Sequence, residues 1–144
     1  MTDKLKKITI EEWRQLGYHY YKDDDLKKWI ITGSPFGIES FAIQLMQYSI
    51  DEKNDKLGEH DHWGPYLYLE IMTHDRPGMD HHAIFGTLSD IKRLSDIVVS
   101  KLKDTSINET ILIKDEYTPS AEYSLELNVM EYGFDPSTCD KEIW

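Results

Sequence analysis

Histidine and carboxylate side chains are the residues of this sequence best suited to bind a metal ion. Five of the six histidines lie between positions 60 and 82, with three aspartates among them. Imidazole and carboxylate are suitable ligands for zinc and similar divalent ions. In an extended His60-Asp61-His62 segment both imidazoles lie on one side, because residues i and i+2 of a strand share a face. His60 and His62 are therefore the candidate metal ligands.

The spacing of these histidines also permits a reading without a metal. The chain lacks the helical H-E-x-x-H pair of zinc hydrolases, and His81 and His82 would point to opposite faces of a strand. The histidines between His60 and His82 are thus either polar loop and interface residues or the basis of a metal-binding protein or metal-dependent enzyme.

Other catalytic and cofactor motifs find no support in the sequence. Cys139 lies beside Asp140 in an acidic segment, which raises the pKa of a thiol and disfavours the reactive thiolate. The G-x-S-x-G elbow of serine hydrolases and the glycine patterns of nucleotide-binding loops are missing. We therefore predict a protein that is not an enzyme and that needs no cofactor.

The charge of the chain is strongly negative and unevenly distributed. The sequence holds 16 lysines and arginines against 27 acidic residues, a net charge of −11, and residues 104–144 hold only two of the basic residues. Such a surface repels nucleic acid and anionic lipid, so neither is an expected partner. It attracts a basic protein and speeds association with it, although acidity also serves solubility alone.

Aromatic residues beside the acidic loop at positions 51–64 suggest where a partner would bind. Tyrosine and tryptophan are favoured anchors of interfaces, and a rim of carboxylates suits lysine or arginine on a partner. The predicted partner-binding residues are Glu59, Asp61, Trp63, Tyr66, Tyr68 and Glu70. Alternatively, these tyrosines cover the second face of a sheet, because tyrosine is a strong strand former.

Three helices are predicted from caps and apolar periodicity. Thr9 and the glutamate three residues later match a capping box, and Gly17 is well placed to end that helix. Ser34 and Pro35 suit the start of a second helix that ends near Ile50, and Thr87 suits the start of a third. The second and third helices carry one apolar face each.

Six strands are predicted from alternating and β-branched segments. After Pro65 the segment YLYLEIMT alternates, which would place Tyr66, Tyr68 and Glu70 on one face and leucines and isoleucine on the other. The remaining strands are predicted at residues 18–22, 28–32, 82–85, 110–114 and 123–130. Hairpin-length links favour antiparallel pairing. The predicted fold is therefore α+β: an antiparallel sheet of about six strands with two amphipathic helices packed on one face, a two-layer sandwich.

Length and composition place further bounds on the protein. A chain of 144 residues fits a single domain, here residues 1–144. No apolar stretch reaches the ~18–20 residues needed to span a bilayer, and the N-terminal residues lack the apolar core of a secretory signal. One cysteine excludes an internal disulfide. A bacterial cytoplasmic location is expected.

The segment Leu57 to Val98 resembles small bacterial immunity-type proteins that accompany secreted polymorphic toxins. The matching features are the Gly58-Glu59-His60 loop, Gly64-Pro65-Tyr66 before the strand, the Pro77-Gly78 turn and the helix start between Gly86 and Leu94. The resemblance implies a non-enzymatic protein that binds and neutralises a cognate toxin, and the charge of the chain predicts that this toxin is basic.

Overall fold

The computed structural model describes residues 1–144, which form three long helices and two mixed four-stranded sheets. In chain order the elements are α1 (Asp3–Leu16), β1 (Tyr18–Asp23), β2 (Lys28–Gly33), α2 (Pro35–Ile50), β3 (His60–Trp63), β4 (Leu69–Thr73), β5 (Gly78–Met79), β6 (Ile84–Gly86), α3 (Leu88–Lys103), β7 (Thr110–Ile113) and β8 (Ser124–Val129). Short 3-10 turns occupy Glu52–Asn54, Pro65–Leu67 and Pro136–Cys139. The α+β class is confirmed. None of the helices has the length and apolar character needed to cross a bilayer.

The single antiparallel sheet predicted from the sequence is wrong. The first sheet has the order β1-β2-β8-β7 and the second β3-β4-β6-β5, and the central pair of each is parallel. Each sheet thus joins two antiparallel pairs side by side. The parallel pairing of β2 with β8 links strands almost a hundred residues apart, so hairpin-length links between neighbours do not reveal it.

Local caps begin and end the helices largely where the sequence indicates. The Oγ of Ser34 accepts a hydrogen bond from the Gly37 amide at the start of α2, and Thr87 and Asp90 form a capping box at the start of α3. Gly17 ends α1 in the left-handed conformation, with φ +87°. The predicted start of α1 at Thr9 is wrong, because the helix begins at Asp3 and is capped by Thr2. Thr9 lies inside the helix, where its hydroxyl donates to the Leu5 carbonyl.

One hydrophobic core of 26 buried residues lies among the helices and sheets. Helices α2 and α3 pack against each other, and the Ser95 hydroxyl joins them by donating to the Ala42 carbonyl at 2.6 Å. Leu125, Leu127 and Val129 of β8 alternate into this core, as predicted. Both four-stranded sheets therefore contribute to a common interior.

The start of α2 approaches the end of α1 closely at two glycines. A Cβ atom added at Gly37 would lie 2.0 Å from the carbonyl oxygen of Gly17. That neighbour is backbone, which cannot move aside as a flexible side chain can. Position 37 therefore requires glycine, although glycine weakens a helix elsewhere.

The substitution Gly37→Ala is expected to lower the free energy of unfolding by about 1–3 kcal/mol, as overpacking does. In an unobstructed helix the same change would stabilise by about 1 kcal/mol, so the sign of the effect tests the contact. Urea unfolding followed by circular dichroism measures it, with Gln47→Ala on the exposed side of α2 as the control. A Gly37→Ala protein at least as stable as the wild type would contradict the close approach.

Candidate functional site

An open cleft of about 1030 Å³ lies where β1 and β2 meet the turn before β4 and the C-terminal segment. We call it the aromatic cleft, because its walls carry six large rings: Trp13, Tyr20, Tyr21, Trp29, Tyr66 and Tyr68. Trp13, Tyr20 and Trp29 are buried, whereas Tyr21 and Tyr68 are 56% and 70% exposed. The cleft thus has a fixed aromatic floor and two accessible rings at its rim.

The turn Pro65–Leu67 gives the cleft its shape and corrects the strand predicted from residue 66. Tyr66 and Leu67 both have positive φ angles, +68° and +58°, which cost of order 1–3 kcal/mol each for non-glycine residues. The Tyr20 hydroxyl holds this turn by donating to the Pro65 carbonyl and accepting from the Tyr68 amide. Strand β4 therefore starts only at Leu69, and the rings of Tyr66 and Tyr68 stack 5.7 Å apart.

A buried carboxylate connects three distant segments at one end of the cleft. Asp140 Oδ2 accepts hydrogen bonds from Trp13 Nε1 at 2.9 Å and from the Tyr66 hydroxyl at 2.6 Å. Burial alone would raise the pKa of Asp140, but the hydrogen bonds from Tyr66 and Trp13, together with the Glu142 amide and the nearby His19, outweigh it and lower the pKa. Asp140 is therefore ionised when the protein is folded, and it fixes α1, the 65–67 turn and the C-terminal segment together.

A second buried carboxylate lies at the other end of the cleft, surrounded by imidazoles. The Glu70 side chain is only 6% exposed, and its oxygens lie 3.8 Å from His60 Nε2, 3.6 Å from His62 Nε2 and 3.0 Å from His82 Nε2. We call these four residues the histidine cluster. His62 is directly opposite Glu70 in the β3–β4 ladder, and His82 reaches the same carboxylate from the bend before β6. The structure thus brings the predicted His60 and His62 together.

Five of the six predicted partner-binding residues fall into two groups. Tyr66, Tyr68 and Glu70 line the aromatic cleft. Asp61 and Trp63 alternate with His60 and His62 along β3 and so point to the opposite face of the sheet, where Trp63 packs 6.3 Å from Phe41 of α2.

The remaining predicted partner-binding residue, Glu59, lies at the start of β3 outside the cleft lining. It is half-buried there, and its carbonyl accepts a hydrogen bond from Tyr48.

Several residues of the site lie far apart in the chain, so local sequence patterns do not predict that they come together. Trp13, Asp140 and Glu142 join the cleft from α1 and the C-terminal segment. The role of Glu70 as the centre of the histidine cluster depends on the β3–β4 register. A sequence signal existed for that pairing, because HDHW and LEIM are both strand-like and separated by a Gly-Pro turn.

The nucleophile candidate Cys139 borders the cleft but is poorly activated. Burial, together with the charge of Asp135, raises the pKa of its thiol. This direction agrees with the acidic surroundings read from the sequence. The thiolate form is therefore disfavoured near neutral pH.

Comparison with protein-family models, curated proteins and solved structures finds no match to this chain. The likeness of Leu57–Val98 to immunity-type proteins therefore stays a prediction.

The substitution Asp140→Asn is expected to lower the free energy of unfolding by about 1–3 kcal/mol near neutral pH, because charge-assisted hydrogen bonds are lost. Since the folded pKa of Asp140 is lowered, its contribution is complete above the unfolded value of about 3.9 and disappears as the pH falls through the folded pKa. The difference from wild type should therefore shrink in acid. Urea unfolding at several pH values measures it.

The exposed carboxylate Asp55 offers a matched control, Asp55→Asn. A difference between Asp140→Asn and wild type that stays constant from neutral pH into strong acid would contradict the role given to this charge.

Proposed function

We propose that this chain is a non-catalytic, immunity-type binding protein that neutralises a basic bacterial toxin in the bacterial cytoplasm. The observation that carries the proposal is the pair of exposed tyrosines, Tyr21 and Tyr68, at the rim of a preformed cleft on a strongly acidic chain. The resemblance of Leu57–Val98 to immunity-type proteins supports it from the sequence.

The two rim tyrosines suit the role of binding anchors. Each presents a large, amphipathic ring with few rotatable bonds, which loses little entropy when it is buried. Tyr68 stacks on Tyr66, and Tyr66 is held by Asp140, so the ring is already ordered in the free protein. A partner side chain that enters the cleft between them would contact the fixed rings of Trp29 and Tyr20.

The first sheet extends this surface through exposed apolar side chains on the face that carries Tyr21. Tyr21 and Ile30 are neighbours across β1 and β2, and Leu112 of β7 continues the same row beyond Glu126 of β8. Tyr21 and Leu112 are each 56% exposed, and Ile30 is half-buried. The row therefore places three apolar side chains beside the cleft, interrupted by the charge of Glu126, and a protein partner would bury them.

Charge provides the attraction toward a basic partner. The net charge of −11 speeds the encounter with a cationic protein, and salt screens exposed charges beyond a Debye length of about 8 Å under physiological conditions. The cleft itself is lined by three carboxylates, Glu70, Asp140 and Glu142, and by two lysines, Lys22 and Lys141. The acidic excess of residues 104–144 lies mainly outside the cleft, so long-range steering and short-range anchoring are supplied by different residues.

A nuclease is the kind of toxin that this chemistry suits, because its active-site groove is positively charged to bind nucleic acid. Covering that groove would inhibit the enzyme without any bond being made or broken by the chain. Co-purification with the product of the adjacent toxin gene is the first test.

The double substitution Tyr21→Ala/Tyr68→Ala is expected to weaken binding to the toxin about 30-fold or more, since loss of even one hot-spot side chain costs about 2 kcal/mol or more. The loss should lie mainly in the dissociation rate, whereas added salt should slow association. Surface plasmon resonance measures both rates. Tyr132→Ala is the matched control, because this tyrosine is also exposed but pairs with Phe36 away from the cleft.

A complex that forms with unchanged affinity after the double substitution would rule out the rim tyrosines as anchors. An association rate independent of salt would rule out steering by the acidic surface.

A further inference from the structure

We infer that His60, His62 and Glu70 bind one divalent transition-metal ion of the zinc class, with His82 in contact with the second carboxylate oxygen of Glu70. This inference goes beyond the proposed function and does not depend on it, because it concerns only side chains within this chain. The ligand atoms of His60, His62 and Glu70 all lie within 4.8 Å of one another.

The distances within the cluster fit a small ion. Two ligand atoms of a tetrahedral zinc, each about 2.0–2.1 Å from the ion, are about 3.3 Å apart. The Nε2 atoms of His60 and His62 lie 3.8 and 3.6 Å from the same oxygen, Glu70 Oε1. Small rotations of exposed imidazoles would therefore close the site, without a change in the β3–β4 ladder.

The opposite nitrogens of both imidazoles are already committed to backbone carbonyls. His60 Nδ1 lies 2.9 Å from the Gly58 carbonyl oxygen, and His62 Nδ1 lies 3.0 Å from that of Leu67. A carbonyl oxygen can only accept, so each Nδ1 carries the proton and donates it. In the neutral ring the Nε2 lone pair then faces Glu70, which is the arrangement that metal-binding histidines use.

The negative charge of Glu70 and the Nε2 lone pairs of His60 and His62 therefore face one point. A buried carboxylate is costly unless positive charge compensates it, and every ion-pair contact of Glu70 is with an imidazole. Three imidazolium rings around one carboxylate would repel one another. A single divalent ion supplies the same compensation at one position and is coordinated by both Nε2 lone pairs.

His82 completes the arrangement from a different segment. Its Nε2 lies 3.0 Å from the other carboxylate oxygen, Glu70 Oε2. This contact restrains the carboxylate from its second oxygen, and loss of outer partners of a metal ligand typically weakens metal binding 10–100-fold. Two nitrogens and one oxygen favour zinc, copper, nickel or cobalt over calcium and magnesium, which prefer oxygen ligands alone.

The test is titration of the metal-stripped full chain with Zn²⁺ by calorimetry, together with the visible absorption of added Co²⁺, which reports its coordination. We expect about one equivalent to bind. His60→Ala/His62→Ala should abolish stoichiometric binding, and His82→Ala should weaken it about 10–100-fold. His74→Ala is the matched control, because this exposed histidine pairs with Asp75 outside the cluster.

The variant Glu70→Gln tests the buried ligand, and circular dichroism verifies that it is folded. If Glu70→Gln does not fold, His60→Ala/His62→Ala alone decides the question, because both side chains are largely exposed. Failure of the wild-type chain to bind Zn²⁺ or Co²⁺ stoichiometrically, or binding that survives His60→Ala/His62→Ala, would overturn the inference. The proposed toxin binding is tested separately, by Tyr21→Ala/Tyr68→Ala in the metal-stripped chain.

Discussion

The shape of the aromatic cleft depends on the hydrogen bonds that converge on the Asp140 carboxylate. Trp13 of α1 and Tyr66 of the 65–67 turn both donate to it, and they come from opposite ends of the first half of the chain. A second link, between Arg14 and Asp135 at 2.8 Å, fastens the C-terminal segment to α1 beside it. Because Tyr66 and Leu67 occupy unfavourable backbone conformations, the surrounding contacts must hold them there. Asp140 thereby orders the rim that the proposed function uses.

The two ends of the cleft hold buried carboxylates in different environments. The Asp140 carboxylate stays charged and is stabilised by two neutral donors, an indole and a phenol. Glu70 has imidazoles instead, which change charge with protonation and bind metals. The first arrangement is suited to holding structure and the second to binding an ion. Both carboxylates line the aromatic cleft. A metal ion at Glu70 would therefore place positive charge at one end of a cleft whose walls are mainly aromatic.

The sequence predicts local structure well where a short segment contains the whole cause. Ser34, and Thr87 with Asp90, satisfy free amides at the starts of α2 and α3, and the acidic residues Asp24 and Asp25 fall in the turn of the first hairpin. Prediction from the sequence fails where a structure depends on contacts with a distant part of the chain. The parallel pairing of β2 with β8 needs a strand from the end of the chain, and Tyr66 leaves the expected strand because Tyr20 holds the 65–67 turn. The alternation predicts an outward Glu70, whereas this side chain is buried among His60, His62 and His82, the last of which comes from the bend before β6.

The most direct test of the central claim is amide hydrogen exchange of the chain, free and bound to the basic protein partner proposed for it. The account predicts that binding slows exchange in residues 19–22, 66–68 and 139–142, which border the cleft, and in the exposed positions of β7. Helices α2 and α3 should exchange as they do in the free protein. Protection confined to those two helices, with the cleft segments unchanged, would contradict the account.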